Sequence, residues 1–324
     1  MQTKPDALLV LSFGGPEGPE DVMPFLRNVT RGRGIPDERL ATVASHYQHF
    51  GGVSPINAAN RALVAAIEDD FAARDIALPV YWGNRNWHPF LADTLRQMTE
   101  DGVRHALVLA TSATAGYSSC RQYFEDMASA SAEVGPGAPV LTKLRHFFDH
   151  PGYIEAHAAG VREALTRLPN ARLVCTAHSI PVAMDAAAGP NGGLYLAQQD
   201  ATALLVAAAV GQPDYDLVWQ SRSGPPSVPW LAPDVNDHLR ELASAGVREV
   251  VLAPTGFLAD HMEVIWDLDV EAAQTAAEVG IRLERAPAAG THPSFVAAIR
   301  ELVEEHLTST VPPLTTCGPT CCLR

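Results

Sequence analysis

The sequence predicts an α/β protein of two similar lobes, each a doubly wound parallel sheet with helices on both faces. Three observations predict it. Short apolar runs alternate with helical stretches in strand–helix–strand–helix order, the pattern of a covered parallel sheet. At 324 residues and 47% hydrophobic content the chain can bury the core of two such lobes. An internal repeat runs through it: YWGNR (81–85), PFLA (89–92), LRQM (95–98) and GVR (102–104) lead into a strand reaching Thr111. The same order recurs as VWQSR (218–222), PWLA (229–232), LREL (239–242) and GVR (246–248), leading into a strand reaching Thr255. From Leu95 onward the offset is a constant 144, so Thr111 and Thr255 close equivalent strands. The same logic pairs the first strand, ending SFGGP, with Leu173–Ala177, ending AHSIP, and sets Phe13 opposite His178.

The chain opens on a strand over Ala7–Phe13, a glycine turn at Gly14-Gly15-Pro16, and a helix starting near Pro19 with Glu20 and Asp21 in its first turn. The turn is not a phosphate loop. It lacks a Lys-Ser/Thr pair after the glycines, and Glu17, Glu20 and Asp21 would repel a phosphate. Arg31 and Arg33 follow around a glycine, either solvated or set to clamp a carboxylate in fork geometry. Gly51-Gly52 and Ser54-Pro55 mark a tight loop before a helix over Ala58–Ala73. The join between lobes falls in the Gly- and Pro-bearing stretch from Val134 to Tyr153. Outside the repeat lie a Gly-Pro loop running into a helix at 184–199, an amphipathic helix over Pro293–Leu307, and a polar tail over Thr308–Arg324.

Charge and composition exclude whole classes of function. A net charge of −14 and a pI near 5.2 give the wrong sign for general nucleic-acid or anionic-membrane binding, while cationic ligands are favoured. The longest apolar stretch, Ala203–Val210, is far short of the roughly 20 residues a bilayer requires, so no integral membrane contact is expected. Met1–Asp6 runs straight into a strand with no apolar leader, which predicts a cytoplasmic protein.

Chemistry concentrates in Pro254–Glu271, PTGFLADHMEVIWDLDVE. Glu263, Asp267 and Glu271 recur every four residues and form one acidic row on a helix, with Asp269 close by. Such a row repels itself, so it is either a fully solvated face or one that receives a cation. Its position just beyond a strand's carboxyl end, where open α/β sheets collect ligands, favours the cation. His178, also at a strand's carboxyl end and in the same lobe, can accept protons near neutral pH. Imidazole and carboxylates together make a poor permanent metal site and a good transit site. Cys120, Cys317, Cys321 and Cys322 form a second set, suited to a [2Fe–2S] cluster or structural zinc if the tail is not simply redox-exposed. Cys175, mid-strand in LVCTA, reads as a buried packer.

SFGGP, RGRG, HFGGVSPIN, TAHSIP, WQSRSGPPSVPWLAPDV and PTGFLADHMEVIWDLD resemble the ferrochelatases over nearly the whole chain, most closely the actinobacterial members that act on coproporphyrin III. The resemblance implies chelatase-type lobes of the Rossmann or flavodoxin kind around a central cleft. It divides the chain into an N-terminal lobe (1–150), a C-terminal lobe with the reactive residues (151–292), a terminal helix packing back on the first lobe (293–307) and a cysteine-bearing tail (308–324). It implies a cytoplasmic, monomeric enzyme of haem biosynthesis that takes a porphyrin and Fe²⁺ as substrates. His178 and Glu263 match the family's catalytic pair, and Asp267 and Glu271 its metal-guiding acids. Phe13, Arg31, Arg33, Tyr47 and Ser54 match substrate contacts, and Cys120, Cys317, Cys321 and Cys322 ligands of a [2Fe–2S] cluster. Phe13 and Thr30 stand where related bacterial enzymes carry tyrosine and arginine. The alternatives are a protoporphyrin IX ferrochelatase, another tetrapyrrole chelatase, or a non-catalytic porphyrin- or iron-binding regulator with an Fe–S sensor. Sirohydrochlorin-type cobalt chelatases usually pair two histidines, and position 263 carries glutamate.

Overall fold

The computed structural model describes residues 4–32, 34–224, 227–308 and 321–322, so Arg33 and Cys317 lie outside the described residues. Among those described, two four-stranded sheets are parallel throughout.

In chain order the elements of the first half are β1 (Ala7–Ser12), α1 (Val22–Val29), α2 (Asp37–His49), α3 (Ile56–Ala72), β2 (Val80–Asn84), α4 (Leu91–Glu100) and β3 (His105–Ala110). A π-helical turn, Tyr117–Arg121, leads into α5 (Gln122–Val134) and β4 (Val140–Lys143). The second half gives α6 (Pro151–Arg167), β5 (Arg172–His178), α7 (Val182–Ala186), α8 (Leu194–Ala209), β6 (Tyr215–Gln220), α9 (Val235–Ser244) and β7 (Glu249–Ala253). Then α10 (Met262–Val264) runs through a second π-helical turn, Ile265–Ala272, into α11 (Ala273–Val279), followed by β8 (Arg282–Arg285) and α12 (Pro293–Leu307).

The strand orders, β2-β1-β3-β4 and β6-β5-β7-β8, are the same order repeated. Two compact units result. The first holds β1–β4 and the residues of α12 from Ile299; the second holds β5–β8 together with Ser112–Gln122 and Cys321–Cys322. Central strands are apolar on both faces because helices cover both. All six residues of β1 are buried, and Leu9 and Leu11 pack with Leu91, Leu95 and Met98 of α4 and Met127 of α5. In the second unit Val174, Val218, Val250 and Leu252 pack against Leu239 of α9 and against Leu268, Ala272 and Ala276 of the α10–α11 run. Each fully buried Leu or Val side chain contributes about 2 kcal/mol, so these rows decide which helix face turns inward.

Backbone pairing revises the repeat alignment. Asn84 N–H donates to Pro89 O at 2.7 Å, and Trp219 N–H donates to Pro233 O at 2.9 Å. Pro89 is therefore the counterpart of Pro233, which carries the 144-residue offset back to that point, and Asn84 is the counterpart of Trp219. Matching PFLA with PWLA and YWGNR with VWQSR by residue identity misplaces both, because the second half lengthens between β6 and α9. The first-strand pairing needs no such revision: Ser12 pairs with Asn84 and Ala177 with Trp219, so Phe13 and His178 occupy the same position after their strands.

Among the described residues no helix is long and apolar enough to cross a membrane.

Candidate active site

The second unit brings the reactive residues together at the carboxyl end of β5. His178 is the last residue of that strand, and its Nδ1–H donates to the Ser179 carbonyl at 2.6 Å. A carbonyl only accepts, so Nδ1 carries a proton, and in the neutral imidazole the Nε2 lone pair is free. Tyr195 Oη donates to the His178 carbonyl at 2.7 Å and Ser179 N–H to the Gln220 carbonyl at 2.8 Å, so both sides of the histidine backbone are held. The loop after β7 closes tightly here. Gly256 N–H donates to Thr176 O at 3.1 Å, and a Cβ at Gly256 would come within 2.7 Å of Ala177 Cβ, so no other residue fits.

That loop delivers Glu263. His261 accepts the Val264 N–H at 3.5 Å and starts the helix, and burial pushes its own pKa down. Glu263 Oε2 lies 3.7 Å from His178 Nε2, with the two side chains 55% and 35% exposed. A carboxylate facing a lone pair gains nothing until the imidazole is protonated; the pair is arranged for the charged product of proton uptake.

The acidic row is real, but it is carried on π-helical rather than purely α-helical backbone. Val264, Leu268, Ala272 and Ala276 recur every four residues and are all buried in the sheet-facing core. Glu263, Asp267 and Glu271 each precede a member of that apolar row by one position. The core thus orients the acids, and the wider turn keeps residues four apart close to one line. Such turns are rare and recur at functional sites. The first half has its own after β3, where Tyr117–Arg121 carries Cys120.

Asp267 is the most perturbed member. Burial pushes its carboxyl up to about 7, with repulsion from Glu263 and Glu271 adding to the rise and the Ser221 hydroxyl opposing it. Ser221 Oγ–H and Gln220 Nε2–H both donate to Oδ2, the latter at 3.2 Å, so the two donors fall on one oxygen. Thr176 Oγ–H donates to Gln220 Oε1 at 2.8 Å, which fixes the amide with its nitrogen toward Asp267. Ser221 takes a positive φ of 61°, a strained choice for a residue with a side chain, held by this bond. Glu271 accepts from Trp266 Nε1 at 2.8 Å.

Sequence reasoning missed Thr176, Gln220 and Ser221, although the last two stand in the quoted VWQSR. It also missed Asp269's partner. Asp269 does not join the row: Arg285 pairs with it from β8.

The first unit holds the other candidates. Phe13 is 37% exposed, its ring edge-on to Phe25 at 6.2 Å. Tyr47, on α2, is buried against the same Phe25 ring at 6.0 Å, and Ser54 is buried with its N–H on Pro16 O at 2.8 Å. Arg31 is exposed just past α1. Another guanidinium is better built in: the Arg85 side chain is 4% exposed, paired with Asp126 and lying 4.5 Å from the Tyr123 ring and 5.8 Å from that of Phe13. Sequence reasoning missed it, although Arg85 stands in the quoted YWGNR.

Cys120, Cys321 and Cys322 are buried and outside any disulfide. Cys321 and Cys322 sulfurs lie 3.6 Å apart, and Gly189 N–H donates to Cys322 Sγ at 3.2 Å. Burial pushes the Cys322 thiol up and that N–H pulls it back. Among the described residues no group of three or more His, Cys, Asp or Glu side chains is disposed to hold a metal ion. Cys175 is fully buried in β5, its thiol pushed up to about 12 by burial, as befits a packing residue.

Solved structures of similar fold include SirB from Bacillus subtilis with Fe³⁺ (TM-score 0.55, 12% identity, covering 94% of this chain and 96% of that one). A second is the chelatase-like DR2241 from Deinococcus radiodurans (TM-score 0.54, 16% identity, covering 93% of this chain and 55% of that one). At such identities they speak to fold alone. Relatives by sequence include the coproporphyrin III ferrochelatase of Nocardia farcinica, 60% identical over 315 residues and covering 95% of this chain and 90% of the relative. The protein of the same name from Mycolicibacterium smegmatis is 56% identical over 319 residues, covering 97% and 93%. The ferrochelatase family profile matches residues 5–307, and the chain belongs to that family.

Proposed function

We propose that this enzyme inserts ferrous iron into coproporphyrin III, giving Fe-coproporphyrin in haem biosynthesis. The observation that carries the mechanism is the free Nε2 of His178 beside Glu263, at the head of a helix with two further acids in line. Entry of Fe²⁺ into the macrocycle releases two protons. His178 Nε2 accepts the pyrrole protons one at a time, and the imidazolium is stabilised by the Glu263 carboxylate 3.7 Å away. Each proton passes by the half-exposed Glu263 to solvent before the next is taken. Asp267 and Glu271 hand the dication along a row whose mutual repulsion it relieves. Relatives named for coproporphyrin III at 56–60% identity support the choice of porphyrin, and the exposed Arg31 suits a propionate-rich rim. Anaerobic Fe²⁺ insertion into coproporphyrin III and protoporphyrin IX, followed side by side, should favour the former by at least tenfold in kcat/KM, about 1.4 kcal/mol. A preference for protoporphyrin IX would overturn the choice of porphyrin, and binding without metallation would favour a regulator.

A [2Fe–2S] cluster on Cys120, Cys317, Cys321 and Cys322 belongs to the same reading. Burial of three of these thiols and the N–H donated to Cys322 support it, since thiolates shielded from water with amide donors suit Fe–S ligation. Such a cluster would supply a one-electron redox centre. Protein purified without oxygen should carry iron and acid-labile sulfide in equal amounts, with visible absorption lost in Cys322→Ser; colourless, sulfide-free protein would sink the idea.

A further inference from the structure

Five carboxylates crowd the twelve residues from Asp260 to Glu271, yet only Glu263, Asp267 and Glu271 form the row. The other two share one cation. Arg285, the last residue of β8 and 19% exposed, donates Nη1 to Asp260 Oδ1 at 2.8 Å and Nη2 to Asp269 Oδ2 at 3.1 Å, with Nε on Asp269 Oδ1. Asp260 Oδ1 also accepts the Ala288 N–H at 3.3 Å. Asp260 sits in the loop that aims Glu263, and Asp269 sits on the π-helical turn between Asp267 and Glu271. One rigid fork therefore ties loop and turn to the same point on the sheet edge. Among the described residues Ser221 and Gln220 donate to Asp267 and Trp266 to Glu271, all neutral groups, and Glu263 faces His178 Nε2. The cation goes to the acids outside it.

We infer that Arg285 is a positioning residue for metal handling: it neutralises Asp260 and Asp269, holds the Glu263 loop in register with the π-helical turn, and leaves the charge of the row for the incoming dication. This rests on the proposed role of the row. A guanidinium is required because the geometry is bidentate toward Asp269 while a third nitrogen reaches Asp260; an ammonium is a point charge and cannot span both. Without the fork, Asp269 is an unpaired carboxylate beside the row, free to draw the metal off line, and Glu263 loses its fixed distance from Asp267.

The test is Arg285→Gln, Arg285→Lys and Asp269→Asn, with two readouts. In porphyrin-free protein, anaerobic Fe²⁺ titration followed by tryptophan emission should show affinity about tenfold weaker in Arg285→Gln, the scale on which supporting residues act on metal sites. In turnover, KM for Fe²⁺ should rise in parallel and kcat should fall by less than in Glu263→Gln, while the porphyrin KM stays within twofold. Arg285→Lys should recover only part of the loss. Asp269→Asn in the Arg285→Gln background should restore part of the affinity, since it removes the carboxylate left unpaired. Unchanged Fe²⁺ affinity in Arg285→Gln would overturn the inference, as would a fall in kcat with both KM values unchanged and a lowered Tm, which marks general destabilisation. The titration needs no porphyrin, so failure of the coproporphyrin assignment would show only in turnover, with the wild-type enzyme itself.

Discussion

His178→Ala should lose roughly a thousandfold in kcat for iron insertion, the range a positioned general base supplies, while porphyrin affinity by absorbance titration changes less than threefold. The asymmetry follows from the ring's bonding. Nδ1–H is committed to the Ser179 carbonyl and Nε2 is unengaged, so the imidazole contributes a proton acceptor rather than a binding surface. The backbone around it is held by Tyr195 Oη and by the Ser179 N–H on Gln220 O, neither of which uses the side chain, so the variant should fold. Added imidazole should restore part of the rate by filling the space. Glu263→Gln keeps the shape but cannot stabilise an imidazolium, and should cost about tenfold to a hundredfold in kcat with no rescue. A loss under tenfold in His178→Ala, or a parallel loss of porphyrin affinity, would remove His178 from the proton-acceptor role.

Much of this arrangement was legible in the sequence because it depends on spacing. Apolar runs and the 144-residue repeat gave the two sheets, and the four-residue recurrence of Glu263, Asp267 and Glu271 survives on the π-helical turn because residues four apart stay near one line there as well. What spacing could not give was which donor meets which acid. Arg285 lies 16 residues beyond Asp269 and Gln220 lies 47 before Asp267; both pairings arise where strand ends meet a returning loop. Nor does spacing give the burial of Tyr47: α2 turns its ring against Phe25, and that is decided by helix phase rather than by neighbouring motif. Matching VWQSR to YWGNR by identity slipped by two residues for a related reason: what recurs between the halves is the hydrogen bond from strand end to proline carbonyl, which different side chains can serve.

Asp267→Asn should make the metal-free protein more stable above pH 7 while weakening its handling of iron. The carboxyl titrates at about 7 in the fold against an ordinary value of 3.8, chiefly because it is buried, with Glu263 and Glu271 repelling its charged form. Between those values the folded chain holds a proton that the unfolded chain has released. Stability therefore falls as pH rises from about 4 to 7 and stays low above it, by an amount on the order of 4 kcal/mol. Asparagine removes the titration without removing the contacts, since its carbonyl oxygen can take the Oδ2 place and accept both the Ser221 hydroxyl and the Gln220 amide. Melts of chelator-treated protein should show a Tm gain of several degrees for Asp267→Asn at pH 8, shrinking to almost nothing near pH 4. A gain independent of pH, or a loss at pH 8, would show that Asp267 is comfortable as an anion and that the row carries no stored repulsion. In turnover the same variant should raise KM for Fe²⁺, because the repulsion that asparagine relieves in the empty protein is the repulsion the dication relieves on arrival. An acid kept where its charge costs stability, and held there by a strained serine and a fully buried glutamine, is better explained by what it does when the metal comes than by anything it contributes to the fold.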